Sequence, residues 1–194
     1  MQHQKKNNGN LNSDSTLKHR GLNVLEFFKD ITTFVFDVDG VLTDGTVLLL
    51  ENGMQARQMH VKDGLALQMA LKNEYQVVII SGGYSEPITK RMHFLGINEV
   101  YLAIKNKKEF LTNYFAEKKI DWGDVLFMGD DLPDIPVLQT VGLPCCPADA
   151  VLEVKKIASY ISPINGGYGC VRDVVEKALK LNDHWNFDTE VTSQ

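Results

Sequence analysis

The sequence is poor in everything that would mark a secreted, membrane-bound or nucleic-acid-binding chain. Cysteine is scarce: three in 194 residues, of which Cys145 and Cys146 are adjacent. Neighbouring cysteines rarely bridge each other, so no disulfide framework is expected, and a reducing, cytoplasmic setting is the default. Unbroken apolar runs such as Val47 to Leu50 and Val77 to Ile80 are far too short to cross a bilayer. Residues 1–20 contain no apolar stretch of the kind a secretory signal needs, and read as a disordered arm. Positive charge is also lacking. Twenty Lys and Arg face 25 Asp and Glu, giving a net charge of −5 that argues against a binder of nucleic acid working by bulk charge.

What is present is a globular composition, 44% hydrophobic and 23% charged, in a length that suits one domain. That domain is expected over 21–185, with a flexible tail over 186–194. Within it, β-rich runs alternate with amphipathic helical stretches. Strands are expected at Thr32 to Phe36, Gln76 to Ile80, Val100 to Leu102, Val125 to Met128, Leu143 to Cys146 and Tyr160 to Ile161. Helices are expected at Gly64 to Asn73 (inner face Leu65, Met69, Ala70), after Ser85, at Lys107 to Lys118, around Val151 to Lys156, and at Val171 to Leu181. Asn52-Gly53 marks a hairpin between Thr46 to Leu50 and Gln55 to Val61. Such alternation predicts an α/β class, a three-layer α/β/α sandwich around a mostly parallel sheet.

Ligands of such sheets gather beyond the carboxyl ends of the strands. Those ends carry Asp37 and Asp39, then Ser81, then Asp130 and Asp131, with Asp134 just beyond and Lys105, Lys107 and Lys108 after the short third strand. Five carboxylates at one mouth would repel: two charges about 4 Å apart cost roughly 4 kcal/mol at an effective dielectric of 20, so a cation is expected. All-oxygen ligands suit Mg²⁺. Carboxylates, a hydroxyl and a lysine together are what phosphoryl transfer requires. Each motif alone is more readily a turn or a cap, and only their order at successive strand ends favours chemistry.

The stretch Asp37-Val38-Asp39-Gly40-Val41-Leu42-Thr43-Asp44-Gly45 resembles the first motif of the haloacid dehalogenase superfamily. Ser81, Lys107 and Gly129-Asp130-Asp131-Leu132-Pro133-Asp134 fall where its other three motifs belong. The short insert at about 45–61, a hairpin and not a domain, points to the capless branch. His60-Val61-Lys62-Asp63-Gly64 and Gly166-Gly167-Tyr168-Gly169-Cys170-Val171-Arg172 are similar to segments of the 3-deoxy-D-manno-octulosonate 8-phosphate (KDO 8-phosphate) phosphatase family. The resemblance implies a Mg²⁺-dependent homotetramer acting in lipopolysaccharide synthesis. It implies Asp37 as nucleophile and Asp39 as acid and base, with Ser81 and Lys107 holding the phosphoryl group. The metal would be held by the Asp37 and Asp130 carboxylates and the Asp39 carbonyl, supported by Asp131 or Asp134. His60, Val61, Lys62, Asp63, Gly64, Gly82 and Arg91 would face the substrate.

The residues by themselves leave Asp63 as an ordinary helix cap and Arg91 as a surface ion pair. Spacing alone does not choose among the three lysines. Gly83 and Tyr84 after Gly82, and Tyr168 near the C-terminus, stand where the family often carries arginine, so a nine-carbon keto-sugar acid phosphate or another small phosphate ester is the alternative substrate. A phospho-acceptor switch and a non-catalytic oligomeric module are the rival classes. Val47 to Leu50 and Met59 make the hairpin an apolar ribbon, expected to pair between subunits. The three cysteines read as buried packing residues.

Overall fold

The computed structural model describes residues 23–186. The arm expected over 1–20 and the tail beyond Asn186 lie outside them. A short helix, α1 (Val24–Lys29), precedes β1 (Thr33–Phe36), and the hairpin β2 (Leu48–Leu49) and β3 (Gln55–Ala56) follows. Then come α2 (Val61–Lys72), β4 (Gln76–Ile80), α3 (Glu86–Phe94), β5 (Glu99–Tyr101), α4 (Lys107–Lys118) and β6 (Val125–Met128). The chain ends through α5 (Ile135–Leu138), β7 (Leu143–Cys146), α6 (Leu152–Ile157), β8 (Tyr160–Ile161) and α7 (Cys170–Leu181).

Six strands form one parallel sheet in the order β5-β4-β1-β6-β7-β8, and no cap domain interrupts it among the described residues. Alternate side chains feed opposite faces. Phe34, Phe36, Val77 and Ile79 join the core under α1, α2, α3 and α7, while Val35, Val78, Ile80 and Phe127 join the one under α4, α5 and α6. Burial on both faces explains why these strands read as unbroken apolar runs. From β1 the chain first builds outward through β4 and β5, then crosses back to β6. The carboxyl end of β1 is therefore the point where the strand order reverses, and a crevice opens there.

Several elements depart from expectation. The α1 helix carries one buried side chain, Phe28, too little for a periodic signal. Only two residues in each arm of the hairpin pair. The α2 helix begins at Val61 with His60 as its N-cap, so Asp63 is not the cap but a buried first-turn residue. Ala66 and Leu67 join Met69 and Ala70 on its inner face, and Leu65 is half-buried. Cys145, Cys146 and Cys170 are buried and unbridged. No described helix is long and apolar enough to cross a membrane.

The loop before α7 lies across the turn after β1. The Gly167 N–H donates to the Val41 carbonyl at 2.9 Å. A Cβ on Gly166 would overlap the Gly40 carbonyl, and one on Gly167 would overlap the backbone of Thr43 and Asp44. Only glycine allows two backbones to approach so closely.

Candidate active site

Asp37 directly follows β1, and its N–H continues the ladder to the Met128 carbonyl at 3.1 Å. Its Oδ1 accepts from the Val38 N–H at 2.7 Å and from Lys107 Nζ at 2.9 Å. Residues Val38–Leu42 form one wide helical turn, broken at Asp39 and at Gly40, whose φ is +87°. Gly40 is needed twice over: its backbone is left-handed, and a Cβ would overlap Asp130 Oδ2 and lie 2.7 Å from Oδ1.

Ser81 directly follows β4, and its Oγ accepts from the Gly83 N–H at 3.1 Å. Lys107 opens α4, and its Nζ also reaches Asp134 Oδ1 at 2.7 Å. Neither neighbouring lysine does this. Lys108 turns to Thr140 and lies over the Trp122 ring, and Lys105 is exposed on the cavity rim. After β6, Asp134 accepts from the Asp130 and Asp131 N–H groups at 3.0 and 3.3 Å. Asp131 is exposed and accepts from Leu132 N–H, so Asp134 and not Asp131 meets the lysine.

Asp37, Asp39, Ser81, Gly82, Lys107, Asp130, Asp131 and Asp134 all line one cavity of about 410 Å³ at the switch point. Five carboxylates share the mouth, but only three cluster: oxygens of Asp37, Asp130 and Asp134 lie within 4.8 Å of one another. Burial, then the Asp134 charge, pushes the Asp37 carboxyl up to about 6 despite Lys107. Burial, then Asp37 and Asp134, pushes Asp130 up to about 7. Burial pulls Lys107 down, but Asp37 and Asp134 outweigh it and hold the ammonium above its ordinary value. Asp130 Oδ1 is buried without a hydrogen-bond partner. One ammonium against three hard-oxygen carboxylates, one of them orphaned, fits a divalent cation such as Mg²⁺.

The segment His60 to Gly64 stays off this cavity. Asp63 turns away to accept from the Arg172 N–H at 2.7 Å, its other oxygen is unpartnered, and burial pushes it up to about 6. His60 Nδ1 is buried without a partner, beside Gly169. Val61 and Lys62 are exposed, and Gly64 packs against Leu95 and Arg91. Arg91 makes no ion pair among the described residues. It stands over the Phe94 ring and lines a second cavity of about 400 Å³ between the hairpin and α3.

Sequence reasoning missed Arg57, whose Nε lies 2.6 Å from Asp39 Oδ1. Its one signal was a lone arginine in an otherwise uncharged stretch, Gln55 to Met59.

Residues 94–172 match the family of haloacid dehalogenase-like hydrolases. Over 151 residues the chain is 34% identical to 3-deoxy-D-manno-octulosonate 8-phosphate phosphatase of Escherichia coli K12, covering 78% of this chain and 80% of that protein. The crystal structure of the Yersinia pestis phosphatase of the same name superposes with a TM-score of 0.81 at 30% identity, over 83% of this chain and 87% of the other. The Moraxella catarrhalis phosphatase, in complex with magnesium, phosphate and KDO, gives 0.79 at 29% identity, over 81% and 90%.

Proposed function

Because the chain belongs to the 3-deoxy-D-manno-octulosonate 8-phosphate phosphatases among the haloacid dehalogenase-like hydrolases, we propose that it hydrolyses KDO 8-phosphate to KDO and inorganic phosphate. The reaction is Mg²⁺-dependent, cytoplasmic, and serves lipopolysaccharide precursor synthesis. The observation that carries this reading is Lys107 bridging Asp37 and Asp134 at the base of the crevice, with Ser81 on its wall.

Asp37 and Asp130, with the Asp39 backbone carbonyl, would hold Mg²⁺, which supplies positive charge to the phosphoryl oxygens when bound. Two donors fix the Asp37 carboxylate through Oδ1. Asp37 attacks phosphorus and becomes an aspartyl phosphate, while Asp39 gives a proton to the departing sugar oxygen. Asp39 then takes a proton from the water that hydrolyses the aspartyl phosphate. Ser81 Oγ and Lys107 Nζ donate to the phosphoryl oxygens in both halves. Asp134 positions Lys107 and, through two backbone N–H groups, the loop that carries Asp130. Gly83 lines the cavity without a side chain, so no guanidinium meets a substrate carboxylate there, and the second reading is a nine-carbon keto-sugar acid phosphate or another small phosphate ester.

The chain assembles as a homotetramer through its hairpin. Leu48, Leu49 and Met54 are 64%, 73% and 60% exposed, an apolar ribbon that a neighbour would cover. Val61, Lys62 and Arg91, off the mouth of their own protomer, serve the substrate at that junction, whereas Asp63 and Gly64 are buried inside theirs.

Phosphate release from KDO 8-phosphate, with Mg²⁺ and with a chelator, tests the reading. Activity should require the metal and fall to background in Asp37→Asn. Undiminished turnover in that variant would remove Asp37 as nucleophile.

A further inference from the structure

The hairpin sends one side chain to the mouth that no sheet strand supplies. Arg57 follows β3 directly, its side chain is only 11% exposed, and it lines the second cavity with Met59 and Ile88. A guanidinium on a packed stem is held in place before any ligand arrives. Its Nε donates to Asp39 Oδ1 at 2.6 Å, whereas Nη2 is 3.5 Å from Oδ2. The two oxygens of Asp39 are therefore held unequally.

Among the described residues no other hydrogen bond or ion pair fixes this carboxylate. Its side chain is 39% exposed, it lies outside the cluster of Asp37, Asp130 and Asp134, and its own backbone interrupts the turn that carries it. A proton donor must nevertheless be aimed within hydrogen-bond reach of the atom it serves. The more loosely held oxygen has a definite outlook. A Cβ on Gly83 would stand 3.4 Å from Asp39 Oδ2 and 3.6 Å from Ser81 Oγ, so Oδ2 looks along the wall that carries the hydroxyl.

Resting on the phosphatase reading, we propose that Arg57 is a positioning residue for Asp39: it pins Oδ1, so that Oδ2 carries the proton. The short N–H contact takes up one lone pair of Oδ1, whereas Oδ2 has only the 3.5 Å contact and is the freer oxygen to carry the proton. In the first half-reaction the bond from phosphorus to Asp37 forms as the bond from phosphorus to the sugar oxygen breaks. The bonding pair leaves with the sugar oxygen, which takes the proton from Oδ2. In the second half, water attacks phosphorus and its proton goes to Oδ2. The bond to Asp37 breaks, and its electrons return to the carboxylate.

The test compares leaving groups. A sugar alkoxide needs a proton to depart, whereas p-nitrophenolate does not. Both kcat and kcat/KM are measured with Mg²⁺ on a sugar phosphate and on p-nitrophenyl phosphate, for wild type, Arg57→Met, Arg57→Lys and Asp39→Asn. Arg57→Met should lose about 10- to 100-fold in kcat/KM on the sugar phosphate and roughly threefold or less on p-nitrophenyl phosphate, a share of the ~10²–10⁴ that positioned proton transfer contributes. The loss should fall on kcat, and Arg57→Lys should recover part of it, since an ammonium can still reach Oδ1. Asp39→Asn should show the same bias, larger. Equal losses on both substrates in Arg57→Met, with the bias kept in Asp39→Asn, overturn the role of Arg57 and leave the phosphatase reading intact. No bias in Asp39→Asn overturns the acid–base assignment itself. A rise in KM for the sugar phosphate at unchanged kcat overturns positioning and makes Arg57 a substrate contact. Circular dichroism and thermal midpoints verify the fold of each variant, and Arg57→Lys supplies the comparison if the methionine variant is unstable.

Discussion

Raising the pH from 5 to 8 should destabilise the metal-free protein, and Mg²⁺ should reverse the loss. The Asp37 carboxyl is pushed from its ordinary 3.8 to about 6, by burial first and the Asp134 charge second. The folded state thus binds this proton more tightly than the unfolded chain, and stability falls as the pH rises from 3.8 through about 6. At about 1.4 kcal/mol per pH unit, the whole interval is worth about 3 kcal/mol, and the part above pH 5 about half of that. For a domain of this size, ~2–4 °C per kcal/mol makes the Asp37 share of the drop about 3–6 °C in Tm. Asp130, raised to about 7, and Asp63, raised to about 6, act in the same direction. Asp44, Glu86, Glu99 and Glu176 are lowered instead. Their stabilisation is complete above their unfolded values and is lost only as the pH falls further, so they do not compensate between pH 5 and 8. Binding of Mg²⁺ must displace the protons of Asp37 and Asp130, so its stabilising effect grows with pH. Thermal melts in chelator and in excess Mg²⁺ across this range measure both effects, and Asp63→Asn removes the contribution unrelated to the metal. A Tm that climbs from pH 5 to 8 in chelator, or a Mg²⁺ increment equal at both ends, would refute the reasoning.

Three further outcomes follow from particular contacts. Gly40→Ala forces Asp130 aside and places a Cβ on left-handed backbone, so it should cost at least about 1–2 kcal/mol in thermal melts and weaken Mg²⁺ binding in calorimetry. Lys107→Met leaves Asp37 and Asp134 without their shared cation. The Asp37 carboxyl, already raised, should then titrate still higher, and the acidic limb of the kcat/KM profile should move to higher pH while kcat falls. If the proposed hairpin-mediated assembly holds, Leu48→Asp with Leu49→Asp should give smaller species than the unaltered chain in sedimentation, with little change in far-ultraviolet circular dichroism.

Legibility in the sequence tracked how local the cause was. The strands Gln76–Ile80, Val125–Met128 and Leu143–Cys146 and the helix Lys107–Lys118 stand where the pattern puts them. Strands buried on both faces need unbroken apolar runs, and turn residues punctuate them. The carboxylates that line the cavity were equally visible, because each follows a strand by one to six residues. Asp63 was not, since its partner is a backbone N–H 109 residues away. Nor was Arg57, which meets Asp39 only because a hairpin with two paired residues in each arm folds back over the mouth. The choice between Asp131 and Asp134 as partner of the lysine likewise depended on a turn in which one carboxylate caps the N-terminus and the other reaches back inward.

The contact of Gly166 and Gly167 with the turn after β1 bears on how the molecule comes into being. All the acidic side chains of the mouth have been synthesised by Asp134, yet the rear of the Gly40 to Asp44 backbone stays bare until a segment more than thirty residues further on has left the ribosome. A chain halted at Ile161 would own every reactive group and still lack the support behind its nucleophile's loop. Competence therefore waits for the Gly166-Gly167 loop, and a frameshift or protease cut ahead of that loop strikes at turnover as surely as one at Asp37.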